Sequence, residues 1–164
     1  MLYTSGKLKD AESLLRVAVT GRRRVLGLFH RDTLRSMNNF ALLLQASGKL
    51  AEAGTMFVDT LEARRSFLGQ LHVETLESIN NLGYFYFLQG KNTEAKVLFS
   101  EASEKRRNVL GPSHRDTIQS ATNLGFALFA LGERQESTVK VSANITLPEE
   151  LTTISKKHGH CEIS

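Results

Sequence analysis

The chain has few of the features that mark disulfide-rich, membrane-spanning or secreted proteins. Its 164 residues include a single cysteine, Cys161, which excludes an internal disulfide framework and fits a reducing compartment. Its apolar runs, such as residues 40–44 and 84–88, are far too short to span a bilayer. No basic segment followed by an uninterrupted apolar stretch marks a secretory signal at the N-terminus. We therefore expect a soluble, cytoplasmic protein.

Signatures of catalysis and of ion binding are equally scarce. The sequence has no glycine-rich phosphate loop, no paired metal-ligand motif and no nucleophile elbow. His158, His160 and Cys161 are possible metal ligands on a terminal tail, which is a weak signal. The net charge of +4 is only mildly basic and does not require a nucleic-acid partner. We expect a non-enzymatic protein with no cofactor and no metal.

What the sequence does contain is a repeat of 42 residues. Shifted back by 42 positions, residues 69–110 meet identical residues at many places. These places are Gly69, His72, Thr75, Leu76, Ser78, Asn80, Asn81, Gly90, Lys91, Glu94, Ala95, Phe99, Arg106 and Arg107. The corresponding forward shift brings Gly111, His114, Thr117, Ser120, Asn123, Leu124, Gly125 and Gly132 into register. A fixed period of this length is typical of a stacked repeat array.

Each copy of the repeat predicts a pair of helices. The first helix is expected over residues 33–46, 75–89 and 117–130, and the second over residues 50–68 and 93–110. Apolar residues at helical spacing predict one buried face on each helix of the middle copy. These residues are Ile79, Leu82, Gly83 and Tyr86 on the first helix, and Ala95, Leu98, Phe99 and Ala102 on the second.

Residues suited to helix ends flank these segments. Asp32 and Asp116, or the threonines beside them, are expected to cap the N-terminus of the first helix through a side-chain oxygen. Glycine is expected to close both helices, because it accepts the positive φ found just past a helix end. The closing glycines are Gly48, Gly90 and Gly132 for the first helix, and Gly69 and Gly111 for the second.

The repeat divides the chain into three parts. Residues 1–26 are expected to hold only the second helix of a repeat, over residues 9–26, after a turn at Gly6-Lys7. Such a helix has lost its hairpin partner, so we expect a fragment of a longer array that self-associates through this end or frays there. The repeat region covers residues 27–136, with units 27–68, 69–110 and 111–136 onward.

The pattern breaks after Glu136. Residues 137–164 are predicted to form a divergent C-terminal cap and tail, with a short helix that restarts at Pro148. This divergence fits either a solvent-facing cap or a truncated array. The last four residues, Cys161 to Ser164, also fit a C-terminal prenylation pattern, although Glu162 stands where an aliphatic residue is expected.

Two polar features recur at the junction between copies. The pairs Arg64-Arg65 and Arg106-Arg107 end the second helix, where they favour its dipole. Their expected partners are Glu62, Glu74, Glu104 and Asp116. The alternative is a basic rim that attracts acidic partners. The histidines His30, His72 and His114 lie a whole repeat apart, so they cannot share a metal, and we interpret them as loop-packing residues.

The order of these landmarks resembles the tetratricopeptide repeat. A small residue in the first helix is followed by the turn glycine and then by an alanine and a phenylalanine of the second helix. The 42-residue unit is longer than the usual repeat of about 34 residues, and it is similar to the repeat of kinesin light chains. The shared string is Leu68-Gly69, His72, Thr75-Leu76, Asn80-Asn81-Leu82, Gly90-Lys91 and Glu94-Ala95. The resemblance implies an all-α, right-handed α-solenoid of helix hairpins.

The same resemblance implies that a peptide binds in the concave groove lined by the first helices. The groove positions that carry over include Arg35, Asn38, Asn39, Glu77, Asn80, Asn81, Tyr84, Phe87, Gln119, Asn123, Phe126 and Phe129. An asparagine amide both donates to and accepts from a peptide backbone, so a ladder of asparagines suits sequence-tolerant clamping. The alternatives are that the asparagines tie neighbouring helices together and that the aromatic residues belong to the core.

The expected function is therefore a non-enzymatic scaffold that binds a peptide segment of a partner protein. One alternative is a structural fragment of a larger repeat protein, either kinesin-light-chain-like or an NB-ARC-type regulator, that contacts its own chain. The other alternative is a membrane-anchored adaptor prenylated at Cys161.

Overall fold

The computed structural model describes the backbone of residues 2–132 and the side chains of Leu8 and residues 10–132. This part contains six helices and no strand. The helices are α1 (Leu2–Leu26), α2 (Arg31–Ala46), α3 (Leu50–Leu68), α4 (Val73–Leu88), α5 (Asn92–Leu110) and α6 (Arg115–Ala130). Each helix packs on the next one in the chain, and α4 also contacts α6. The predicted cap and tail, residues 137–164 with Pro148 and Cys161, lie outside the described residues.

The hairpins α2–α3 and α4–α5 carry the predicted core. Ala95 and Phe99 are fully buried on α5, and Ile79 is fully buried on α4. Tyr86, predicted to be buried with Ile79, is only half-buried and packs against the core at its edge. Gly83 is needed for the close approach of α4 and α5, because a Cβ on it would lie 2.9 Å from the Phe99 ring. The apolar pattern of the sequence therefore predicts which faces pack together.

The N-terminal caps differ from the prediction. The cap of α4 is His72, whose Nδ1 accepts a hydrogen bond of 3.2 Å from the backbone N–H of Glu74. His30 and His114 cap α2 and α6 in the same way. Each first helix consequently begins two residues before the expected threonine. The expectation of aspartate or threonine caps is wrong, because the histidine imidazole accepts the hydrogen bond of a backbone N–H group that has no partner within the first turn. The Thr75 hydroxyl is buried without a hydrogen-bond partner among the described residues.

The turn inside each hairpin is the predicted glycine turn. Gly48 and Gly90 have φ of 76° and 73°. At the end of α4, Gly90 N–H donates to the Phe87 carbonyl and Lys91 N–H donates to the Tyr86 carbonyl, both at 3.0 Å. This is the Schellman arrangement, in which two otherwise free carbonyls of the last turn are satisfied.

The N-terminal helix differs most from its prediction. α1 runs unbroken from Leu2 to Leu26, so the predicted turn at Gly6-Lys7 is wrong. No described helix precedes α1, and a continuous helix satisfies the backbone groups that a turn there would leave free. α1 is attached to α2 through the buried Val19, and the Lys49 ammonium donates to the Glu12 carboxylate at 2.6 Å. Glu12 also accepts a hydrogen bond of 3.2 Å from Arg16. The hydrogen bonds from Lys49 and Arg16 lower the pKa of Glu12.

None of the six described helices is long and apolar enough to cross a membrane.

Candidate protein-interaction surface

The first helices α2, α4 and α6 are linked by the predicted asparagines. Asn81 donates from Nδ2 to Asn38 Oδ1 at 3.1 Å, and Asn123 donates from Nδ2 to Asn80 Oδ1 at 3.2 Å. Asn38 and Asn80 are only 3% and 6% exposed, so they act as acceptors inside the stack. Asn39 occupies the same position as Asn81 in the first copy and is exposed. The asparagines therefore fix the spacing of the three helices.

Asn81 and Asn123 also keep bonding capacity toward solvent. A carboxamide carries two N–H donors and one carbonyl acceptor, and each of these side chains uses one N–H in the bond to its neighbour. Both side chains are half-buried rather than enclosed.

An apolar row runs beside these amides. Leu42, Tyr84 and Phe126 each lie three residues after an asparagine, and so one turn further along the same helix face. They are 41%, 44% and 56% exposed. Each of the three first helices therefore exposes one large apolar side chain at the same position of the repeat. We refer to these three residues as the apolar row.

The charged groove positions are already paired within the chain. Arg35 contacts Asp32 at 3.1 Å, and Glu77 contacts Arg64 at 3.2 Å. The equivalent position in the third copy is the exposed, uncharged Gln119. This side of the surface therefore has little net charge. Its exposed side chains offer apolar contacts rather than electrostatic attraction.

The remaining two predicted positions differ from each other. Phe87 is half-buried and packs against the cluster formed by Ala95, Phe99 and Ala127. Phe129, one repeat later, is 83% exposed. Phe87 is consequently a half-buried packing residue, whereas Phe129 is exposed.

The arginine pairs divide into one buried and one outer member. Arg64 is 1% exposed, and its Nη1 donates to the Glu74 carbonyl at 2.7 Å and to Ser78 Oγ at 2.8 Å. Its neighbour Arg65 reaches both carboxylate oxygens of Glu101 at 2.9 Å. The prediction that Arg64 pairs with Glu74 is confirmed, with a contact of 3.6 Å between Nη2 and Oε2.

The buried arginine of the next copy belongs to a network that reaches the asparagines. Arg106 donates to the Asp116 carbonyl at 2.9 Å and to Ser120 Oγ at 2.7 Å, and Ser120 in turn donates to Asn80 Oδ1 at 3.1 Å. Burial lowers the pKa of Arg106 below its ordinary value, and the charges of Asp116 and Glu77 offset this lowering only in part. Sequence reasoning assigned these arginines to the helix dipole and missed the network. The sequence feature that indicates this network is the serine that follows each buried arginine at the same spacing, Ser78 after Arg64 and Ser120 after Arg106.

A surface depression lies away from the apolar row. It has a volume of about 600 Å³ and is bordered by α3 and the C-terminal part of α4. Its lining includes Gly54, Asp59 and Phe85, and it shares no residue with the predicted groove positions. Among the described residues no cluster of histidine, cysteine, aspartate and glutamate could hold a metal ion.

Stacked helix pairs joined by inter-repeat hydrogen bonds define the described chain as an all-α solenoid. The model of the tetratricopeptide repeat family matches residues 1–66 and 74–137. The chain belongs to the tetratricopeptide repeat family. Tetratricopeptide repeats generally mediate protein–protein interactions, and the family is one of non-enzymatic scaffolds.

Solved structures refine the type of repeat. The crystal structure of a putative kinesin light chain of Podosopora anserina, with nearly identical TPR-like repeats, is similar to this chain with a TM-score of 0.73 and 25% sequence identity. The match covers 79% of this chain and 62% of that chain. A second structure of it is 24% identical, with the same TM-score and with 79% and 61% covered. BtubC (BKLC) from P. vanneervenii is 20% identical with a TM-score of 0.74, and 97% and 62% are covered.

These structures confirm the prediction of kinesin-light-chain-like repeats. The chain spans less than two thirds of the length of each of these proteins. No curated protein gives a significant match.

Proposed function

We propose that the chain is a non-enzymatic cytoplasmic scaffold that binds a peptide segment of a partner protein across α2, α4 and α6. The observation that carries the proposal is the apolar row beside the fixed amides. Leu42, Tyr84 and Phe126 are exposed on three helices whose spacing is set by the asparagine bonds. A surface held in place before binding loses less conformational entropy on association, which favours affinity.

The proposed ligand is an extended or short helical peptide with one or two apolar anchors. The apolar row would receive the anchors, and the free N–H and carbonyl groups of Asn81 and Asn123 would bind the peptide backbone. Because the neighbouring charges are paired within the chain, salt should change the affinity only modestly. Neither nucleic acid nor a membrane is part of the proposal.

The experiment begins by recovering a binding peptide through display selection on the whole chain. We expect Tyr84→Ala and Phe126→Ala each to weaken binding at least tenfold, because a buried aromatic anchor is typically worth about 2 kcal/mol or more. Phe67→Ala is the matched control. Phe67 is a 59% exposed aromatic residue on α3, outside the proposed surface. A loss confined to Phe67→Ala, or equal losses in all three variants, would place the site elsewhere.

The role of the amides needs a separate variant, because Asn81 and Asn123 also bond within the stack. Asn39 is exposed, and no hydrogen bond joins it to another described side chain. Asn39→Ala should therefore leave the unfolding midpoint in urea unchanged while it weakens a peptide that reaches α2. If Asn39→Ala and Asn39→Asp both leave the affinity unchanged for every selected peptide, the asparagines serve the stack alone.

A further inference from the structure

Four charged side chains connect α1 to the start of α3. On α1, Glu12 and Arg16 lie four residues apart and form an ion pair of 3.2 Å. Lys49, the N-cap of α3, donates to Glu12 at 2.6 Å, and Arg16 donates to Glu52 in the first turn of α3 at 2.8 Å. Each of the four charges therefore has a neighbour of opposite sign. We refer to these four residues as the charged junction.

The equivalent place one repeat later keeps only half of this set. The start of α5 again contributes a lysine and a glutamate, Lys91 and Glu94. α3, however, has Gly54 and Val58 at the positions where α1 has its glutamate and arginine. Neither Lys91 nor Glu94 forms an ion pair with another described residue, and the Lys91 ammonium lies over the Tyr86 ring at 5.4 Å from its centroid. Both charges thus lack the partners that the charged junction supplies.

The depression of about 600 Å³ lies where the two missing side chains would be, because Gly54, Val58 and Lys91 all line it. A Cβ on Gly54 would lie 3.1 Å from the Phe85 ring, so a longer side chain at this position would displace the ring. α3 itself therefore does not fill the space. All the lining residues lie between residues 50 and 91, in the middle of the described chain.

The charges around the depression favour a ligand that carries both signs. Lys91 requires an acidic partner and Glu94 a basic one. Asp59 also lines the depression and repels a second acidic group. In the charged junction the two partners, Glu12 and Arg16, are presented from adjacent turns of one helix. A matching ligand consequently carries a glutamate and an arginine four residues apart on a short helix.

We propose that the depression between α3 and α4 is a second protein-interaction site, which takes a short helical segment of a partner protein. The ligand's glutamate pairs with Lys91, and its arginine pairs with Glu94. Ion pairs at a protein surface add little affinity by themselves. Contact with Leu50, which is 43% exposed, and with Val58 therefore supplies the attraction, while the charges select the ligand. The proposal is independent of the apolar row, with which the depression shares no residue.

A peptide selection with a built-in counter-selection tests the proposal. A display library of helical peptides is selected on the whole chain and counter-selected on Val58→Arg. That substitution restores the arginine of the charged junction, where the Arg16 guanidinium lies over the Phe40 ring at 5.2 Å from its centroid, and we expect it to fill the depression and pair with Glu94. Peptides that bind the apolar row bind both proteins and are discarded. The remaining peptides should carry glutamate and arginine four residues apart.

An exchange of charges then identifies the contact. Lys91→Glu should weaken the recovered peptides at least tenfold, because it places like charges opposite each other. Changing the peptide's glutamate to lysine should restore the affinity for this variant and lower it for the wild type. Arg107→Glu is the matched control, since it makes the same change of charge at an exposed position of α5, and it should leave the affinity unchanged. If Val58→Arg lowers the urea midpoint, the counter-selection is carried out on Lys91→Glu, whose side chain is exposed.

Four outcomes would overturn the proposal. The first is a library from which the counter-selection removes no binder. The second is an affinity that Arg107→Glu lowers as much as Lys91→Glu does. The third is a loss at Lys91→Glu that the peptide's lysine does not restore. The last is self-association of the wild type that Lys91→Glu abolishes, which would place a second copy of the chain in the depression.

Discussion

α4 and α6 occupy the same position in successive copies of the repeat, but they are covered differently. α4 lies between α3 and α5, while α6 has described neighbours on one side only. Their sequences predict the same buried face, yet Ile79 is fully buried and Ala121, one repeat later, is exposed. Burial in this molecule is consequently a property of the stack and not of the single helix, as expected for repeats that contact only their neighbours.

The largest difference in stability between α4 and α6 should appear when the buried arginine that binds each helix is removed. Arg64→Ala leaves the Glu74 carbonyl and Ser78 without a donor inside the stack, which should lower the free energy of unfolding by about 3 kcal/mol. Arg106→Ala removes the same bonds at α6, but α6 can loosen alone, which limits the loss in global stability. Urea unfolding, with Arg107→Ala as an exposed control, measures both. Equal losses at the two sites would show that α6 is as tightly held as α4.

Replacing the equivalent glycines Gly83 and Gly125 by alanine should change the stability of the protein in opposite directions. Gly83→Ala introduces a Cβ 2.9 Å from Phe99 and 3.2 Å from Leu98 Cβ, and such overpacking typically costs about 1–3 kcal/mol. A Cβ on Gly125 meets no other described residue within 4 Å, so Gly125→Ala should stabilise the helix by about 0.5–1 kcal/mol. The urea midpoint should fall for the first variant and rise for the second. A rise in both would mean that the stack adapts to the extra methyl group.

The histidine caps act locally, so their removal should have the same modest effect in α4 and in α6. His72→Ala and His114→Ala each remove one hydrogen bond to a backbone N–H, at a cost of about 1 kcal/mol. His72→Asn keeps an acceptor at the same position and should retain most of the stability. Thermal unfolding compares the three variants. If His72→Asn is as unstable as His72→Ala, then packing of the imidazole ring rather than capping accounts for the effect.

The periodic features were predictable from sequence, while the features that depend on a specific neighbour were not. The period and the apolar spacing predicted the six helices of residues 2–132, and the glycines predicted the turns between them. The prediction of aspartate caps failed because Nδ1 of a histidine is an equally suitable acceptor, and a single sequence does not reveal which side chain turns toward the backbone. The turn at Gly6-Lys7 failed because α1 continues through both residues, and a glycine inside a helix lowers its stability without necessarily ending it.

The asparagine positions show the same division. Sequence spacing placed Asn38, Asn39, Asn80 and Asn81 on one surface, and it could not separate the buried members from the exposed ones. Adjacent residues on a helix point about 100° apart, so one member of each pair turns into the stack and the other toward solvent. Which is which depends on where the next first helix lies.

The arginines near the end of each second helix also depend on the length of the loop between successive hairpins. Arg22, Arg64 and Arg106 each bond to the carbonyl of the residue ten positions later, across the connections at residues 27–30, 69–72 and 111–114. An extra residue in one of these connections would move that carbonyl away from the guanidinium, which is buried in Arg64 and Arg106 and partly buried in Arg22. Four-residue connections are thus maintained by the interior, although they lie at the surface. Length variation should accumulate instead in the turns within each hairpin, where no buried charge spans the gap.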